Sequence, residues 1–172
     1  MSYGPPDPTA KSFVGGQPSF LPETLPWPKE DDELIGFVMQ IEVDGERLGI
    51  PDASSIQLYQ PIDDGDDPTP MVAVLSLYPR LNDGKTVVTH PLAKERSITF
   101  IPEDDPDKGP DLRVFSPEAL HLFFDKLGGT DPWNDDREFL GQIREGPLGL
   151  NFGGLTCCLY RTVHGEVVAD LH

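Results

Sequence analysis

What most constrains this 172-residue chain is an order of residues that occurs twice. Gly15-Gly16 is followed by Trp27, bracketed by prolines, and then by Phe37-Val-Met-Gln-Ile41. Gly128-Gly129 is followed by Pro132-Trp133 and then by Phe139-Leu-Gly-Gln-Ile143. The spacer is much shorter in the second copy, so the repeat is one of plan and not of sequence. Such a plan, at 13–43 and again at 126–161, predicts two similar halves. At this length they share one core, because two independent domains would each bury too little surface.

Composition narrows the class. Nineteen prolines and 17 glycines interrupt the chain too often for a helical bundle. The expected fold class is α+β, predominantly antiparallel β. Thirty acidic residues against 13 Lys and Arg give a formal charge of −17. That field repels nucleic acid and anionic membrane and speeds encounter with a basic partner, although solubility alone also accounts for it. There is no charged start followed by an apolar run and no long apolar stretch, so neither secretion nor membrane spanning is expected. The only cysteines, Cys157 and Cys158, are adjacent and cannot staple distant segments, which fits a reducing compartment. The expected location is the cytoplasm.

In chain order, residues 1–12 are too poor in apolar side chains to offset their ordering entropy, and a flexible tail is expected there. The single domain is expected over 13–172. Leu34–Val43 reads as a buried strand ending at Asp44-Gly45, a hairpin signal. Ser55–Gln60, Met71–Tyr78, Thr86–Thr89 and Ser97–Ile101 read as further strands. One helix is predicted at about 117–127. Ser116-Pro117 supplies its start, and Leu120, Phe123, Phe124 and Leu127 line one face. Phe139–Ile143 and Leu155–Arg161 are strands, and the turn at Val163-His164-Gly165 closes a last hairpin onto Glu166–Leu171.

No assembled catalytic motif is present, and no cofactor or metal is expected. Cys157 and Cys158 would point to opposite faces of a strand, with no His or Cys near enough in sequence to complete a metal set. Asp63, Asp64, Asp66 and Asp67, like Asp104, Asp105 and Asp107, lack the spacing of a calcium loop and read as solvated tips or as steering charges for a partner. Gly149-Leu-Asn-Phe-Gly-Gly154 lacks the Lys and Ser/Thr of a phosphate loop. The Trp and Gln residues of the two copies, Trp27, Gln40, Trp133 and Gln142, remain. They either plug the sheets and hydrogen-bond the loop backbone, or line a cleft across a pseudo-symmetric centre.

The Lys126-Leu-Gly-Gly, Pro132-Trp133, Phe139-Leu-Gly-Gln and Leu148-Gly-Leu-Asn-Phe-Gly-Gly-Leu155 segments, with Phe13-Val-Gly-Gly-Gln-Pro-Ser-Phe-Leu21 and Trp27-Pro28 before them, resemble YwqG-like proteins. The resemblance spans about 13–172 and is loose in the middle. It implies a two-fold pseudo-repeated β-rich domain without established catalysis. It also implies an immunity role in polymorphic-toxin settings, or a chaperone role as in the distantly similar programmed cell death protein 2. The zinc cysteines of that branch are absent here, so zinc is not carried over. The expected function is a non-catalytic protein-binding module for a basic partner, a toxin or a chaperone client. The alternative is a hydrolase whose Asp, Glu and His residues come from distant positions.

Overall fold

The computed structural model describes residues 1–18, 20–23, 35–44, 48–62, 69–81, 87–100, 125–129, 131, 133, 135–145 and 150–172. The elements they define are strands: β1 (Ser2–Gly4), β2 (Phe13–Val14), β3 (Phe20–Leu21), β4 (Ile35–Glu42), β5 (Ala53–Pro61), β6 (Met71–Ser76), β7 (Arg80–Leu81), β8 (Val88–Thr89), β9 (Arg96–Thr99), β10 (Lys126–Leu127), β11 (Glu138–Arg144), β12 (Thr156–Arg161) and β13 (Val167–Leu171). A seven-stranded sheet runs β1-β9-β2-β4-β5-β6, with β8 joining β4 in parallel. A four-stranded antiparallel sheet runs β10-β11-β12-β13, and β3 pairs with β7. The predominantly antiparallel β architecture is as expected.

Strand β4 carries the apolar run Ile35–Ile41 because both of its faces are covered: Val38, Met39 and Ile41 enter one apolar cluster, and Ile35 and Phe37 enter another. In β4 the register against β5 shifts between Phe37 and Met39, and in β11 the register against β12 shifts between Phe139 and Gly141. A bulge therefore follows the phenylalanine of each Phe-x-x-Gln segment. Beyond the bulges, Gln40 opposes Gln57 and Gln142 opposes Cys158. Phe37 meets Tyr59 edge-on at 5.8 Å, and Phe139 meets Tyr160 edge-on at 5.9 Å.

Both glycine pairs are left-handed: φ is 66° and 67° at Gly15 and Gly16, and 71° and 85° at Gly128 and Gly129. The amide of Gly15 donates to Val38 O (2.8 Å) and that of Gly128 to Leu140 O (2.7 Å), so each pair turns the chain away from the bulge.

One apolar cluster is shared by the two large sheets. Val14, Met39, Ile41, Ile56 and Leu58 come from the first, and Leu140, Ile143, Cys157, Leu159 and Ala169 from the second, with Phe152 between. A smaller cluster, Leu21, Ile35, Phe37, Tyr59, Ala73 and Val87, covers the other face of the seven-stranded sheet.

Two expectations meet a different structure. The helix expected at about 117–127 falls outside the described residues up to 124, but Lys126–Leu127 is strand β10 and not a helix end. The cause is tertiary: Gly141 lacks a side chain, and a Cβ there would sit 2.5 Å from Lys126 O, so β10 lies directly against β11. Residues 1–12 depart from the expected flexible tail, because Ser2–Gly4 pair with Ser97–Thr99. Tyr3 also donates to Asp125 Oδ2 (2.7 Å), whose Oδ1 accepts from the Arg144 amide (2.6 Å). Tyr3 thus has a buried polar partner at the edge of the second sheet, just before β10, a long-range contact that composition cannot announce.

Candidate functional site

The pleat separates two kinds of surface. In β12, Cys157 and Leu159 point into the shared cluster, while Cys158 and Tyr160 point the other way. On that outer face Gln142 opposes Cys158 from β11, and Asp170 opposes it from β13. Asp131, Trp133, Asp135 and Arg137 lie over this face. Asp131 shapes the turn, its Oδ1 accepting from the Trp133 amide (2.9 Å) and its Oδ2 from the Asp135 amide (2.7 Å). This is the local turn chemistry that aspartate favours.

The side chains then assemble into one network. Arg137 donates through Nε and Nη2 to both oxygens of Asp135 (2.8 and 2.7 Å), and its Nη2 also bonds Asp170. Its guanidinium carbon lies 4.4 Å from the centroid of the Tyr160 ring. The Tyr160 hydroxyl donates to Asp131 Oδ1 at 3.4 Å and sits 3.4 Å from His172 Nε2. The imidazole of His172 stacks under the indole of Trp133 (5.4 Å between centroids, 14° between planes). Lys126 Nζ lies 5.4 Å from the Phe139 centroid.

Electrostatics sort these groups. Burial first, and then the negative charge of Asp131, push the Cys158 thiol up to about 12. Burial also raises Tyr160, reinforced by Cys158 and Asp131. Hydrogen bonds from Arg137 hold the Asp135 carboxyl well below the usual range. At neutral pH the thiol and phenol are therefore protonated and neither is a nucleophile. Cys157, wholly buried, is raised by burial as well. Tyr160 and Cys158 are buried, whereas Trp133 is 45% exposed.

The corresponding face of the seven-stranded sheet is sealed. Gln57 Nε2 donates to Gln40 Oε1 (2.9 Å) and to Phe20 O (3.1 Å), the Tyr59 hydroxyl donates to Gln57 Oε1 (2.6 Å), and Gln40 Nε2 donates to Lys11 O (3.0 Å). The polar side chains there bind the covering backbone, and the apolar ones form the smaller cluster.

The four residues expected to meet across a centre do not all converge. Trp133 and Gln142 share the outer face of the four-stranded sheet. Gln40 lies on the outer face of the other sheet, with the shared apolar cluster between them, because each glutamine alternates with core residues of its own strand (Met39 and Ile41, Ile143). Trp27 lies outside the described residues, as do Asp63, Asp64, Asp66, Asp67, Asp104, Asp105 and Asp107. Sequence reasoning missed Asp131, Arg137, Tyr160, Asp170 and His172. A signal was present: Asp131, Trp133, Asp135 and Arg137 alternate, as do Cys158 with Tyr160 and Asp170 with His172, which is the period of a shared face.

Two other places were candidates. An open cleft of about 350 Å3 lies at the Gly15-Gly16 corner, bordered by Pro6, Pro8, Phe13, Glu95 and Arg96 among others. The glycine-rich bend at 150–154 aims the amides of Phe152 and Gly154 at Glu145 Oε2 (2.6 and 3.1 Å), so its anion position is filled by the chain itself. Among the described residues no three His, Cys, Asp or Glu side chains are grouped to hold a metal ion, and no helix is long and apolar enough to cross a membrane. Compared with known proteins, the chain matches no family model, no curated protein and no solved structure.

Proposed function

We propose that the protein is a non-catalytic binding module for a basic protein, acting in the cytoplasm in an immunity-type or chaperone-like role. The observation that carries this reading is the state of the outer face of the four-stranded sheet. Its thiol and phenol are protonated and buried, its guanidinium is held by two carboxylates, and a large indole is left exposed beside them. That arrangement is poor for chemistry and good for contact, since exposed tryptophan in a rigid setting is a common hot-spot residue. The charge of −17 supports a cationic partner. In this reading the acidic stretches Asp63–Asp67 and Glu103–Asp107 act at long range, raising the association rate.

We also read the chain as two related halves and as a relative of YwqG-like proteins. Support comes from the matching bulges, left-handed glycine pairs and Phe–Tyr contacts of the two sheets. In register, Phe37, Gln57, Tyr59 and Ala73 correspond to Phe139, Cys158, Tyr160 and Asp170. One outer face is thus an apolar plug and the other an ionic surface, which favours the second as the place of contact.

The test is capture by the immobilised protein from extract of its source cells at low and at high salt. Recovered proteins should be enriched in basic chains and lost at high salt. Recovery without that enrichment, or turnover of a small molecule by the purified protein, overturns the reading.

A further inference from the structure

Among the described residues, two cations of this face rest on aromatic rings, and a third, Arg144, pairs with Asp125. Arg137 lies over Tyr160 and is gripped by Asp135 and Asp170, and Lys126 lies over Phe139. Trp133 is the aromatic side chain of the face that is substantially exposed, and tryptophan is the strongest of these rings for a cation. Its indole is backed on one side by His172 at a 14° interplanar angle, so the exposed remainder is the opposite face and edge. The carboxylate of Asp131 is fixed at its base by the Trp133 amide, and Asp136, also exposed, follows Asp135 in the covering segment. Among the described residues, five carboxylates, those of Asp125, Asp131, Asp135, Asp136 and Asp170, thus outnumber the three cations Arg137, Lys126 and Arg144.

From this geometry we infer that the open face of Trp133 is the anchor point for an arginine side chain of the basic partner, a conclusion that rests on the binding function proposed above. The incoming guanidinium lies over the indole as that of Arg137 lies over Tyr160, and the surplus carboxylates take its charge. Arginine is favoured over lysine because a planar guanidinium stacks on a ring and is more weakly hydrated than an ammonium. His172 holds the indole in place from behind, so the ring is presented in one orientation.

The two indole N–H resonances of the 15N-labelled protein report the contact. That of Trp133 is the one lost in Trp133→Leu, and the other belongs to Trp27. On titration with a tetra-arginine peptide at low salt, the Trp133 resonance is expected to shift saturably. Tetra-glutamate should leave it in place. Trp133→Leu and Asp136→Asn should each weaken peptide binding, the former by about five-fold, the scale of one exposed cation–π contact. If the peptide shifts other resonances and leaves Trp133 unmoved, the anchor is overturned and the basic-partner reading stands. If the peptide shifts nothing at low salt, both fall. If Trp133→Leu does not fold, loss of the other resonance in Trp27→Phe makes the same assignment, and the wild-type titration decides.

Discussion

The guanidinium of Arg137 places its carbon 4.4 Å from the centroid of the Tyr160 ring, while two carboxylates on different strands or loops hold its nitrogens. It joins the covering segment to β13 and seals the phenol beneath it. The Arg161–Glu138 pair is also bidentate but lies at the sheet surface, with Glu138 more than half exposed. Arg137→Ala is therefore expected to lower the melting temperature more than Arg161→Ala, since a network on an aromatic ring loses more than a solvated pair. Because Asp135 is held below its unfolded pKa, its contribution is present above the ordinary carboxylate range and is lost as pH falls through and below it. The gap between the two variants should narrow in acid. Thermal unfolding at several pH values checks this.

Trp133→Ala should cost only about 1 kcal/mol, the scale of one lost aromatic stack, because nearly half of the residue is exposed. Phe152→Ala, at a wholly buried ring in the shared cluster, should cost ~3–5 kcal/mol. Urea unfolding of both variants compares them. A Trp133 cost as large as that of Phe152 would place the indole in the core and remove it as a contact surface.

His90 is buried, accepts from the Leu92 amide at Nδ1 (3.3 Å) and lies 3.1 Å from Pro61 O through Nε2. This pattern is that of a neutral ring with its proton on Nε2. Burial lowers its pKa, partly offset by the bond to Pro61. The unfolded chain then binds more protons, so stability is complete above an unfolded value of about 6.5 and declines as pH falls toward the folded one. His90→Gln should flatten that decline. Urea midpoints between about pH 8 and about pH 5.5, above most carboxylate titration, measure it.

Gly15 and Gly16 share a left-handed backbone, but a Cβ on Gly15 would meet Ala93 O at 2.3 Å, while one on Gly16 would meet only the flexible side chain of Glu95 at 3.5 Å. Gly16→Ala should cost about 1–2 kcal/mol for the backbone alone. Gly15→Ala should cost clearly more, since backbone must move as well. Equal costs would mean that the corner relaxes freely.

With both thiols raised by burial, the native protein should react with a disulfide reagent at neutral pH only as fast as it unfolds, and both cysteines should titrate at once in denaturant. Fast labelling of Cys158 in the folded state would show an open outer face, and fast labelling of Cys157 an open core.

Much of the strand pattern was legible from residue order. The apolar run of Leu34–Val43, the alternation of Ser55–Gln60 and the turn at Val163-His164-Gly165 each carry a local signal, and β4, β5 and the β12–β13 hairpin follow it. The opposite fates of Cys157 and Cys158 followed from the two-residue period of a strand. What sits against what was not legible. Leu127 has helical spacing with Leu120 and Phe123, yet it pairs with Gly141, because an absent side chain on another strand makes the room. Gln40 and Gln142 look equivalent in sequence, but which face of a sheet meets the core depends on how the sheets stack. Only the tertiary structure set them on opposite sides of one cluster and gathered Asp131, Arg137, Tyr160, Asp170 and His172 around Trp133. The physical reason is range. Periodicity and turn chemistry act over a few residues, whereas a charge network over a sheet joins residues dozens of positions apart, and its partners exist only once the strands have paired.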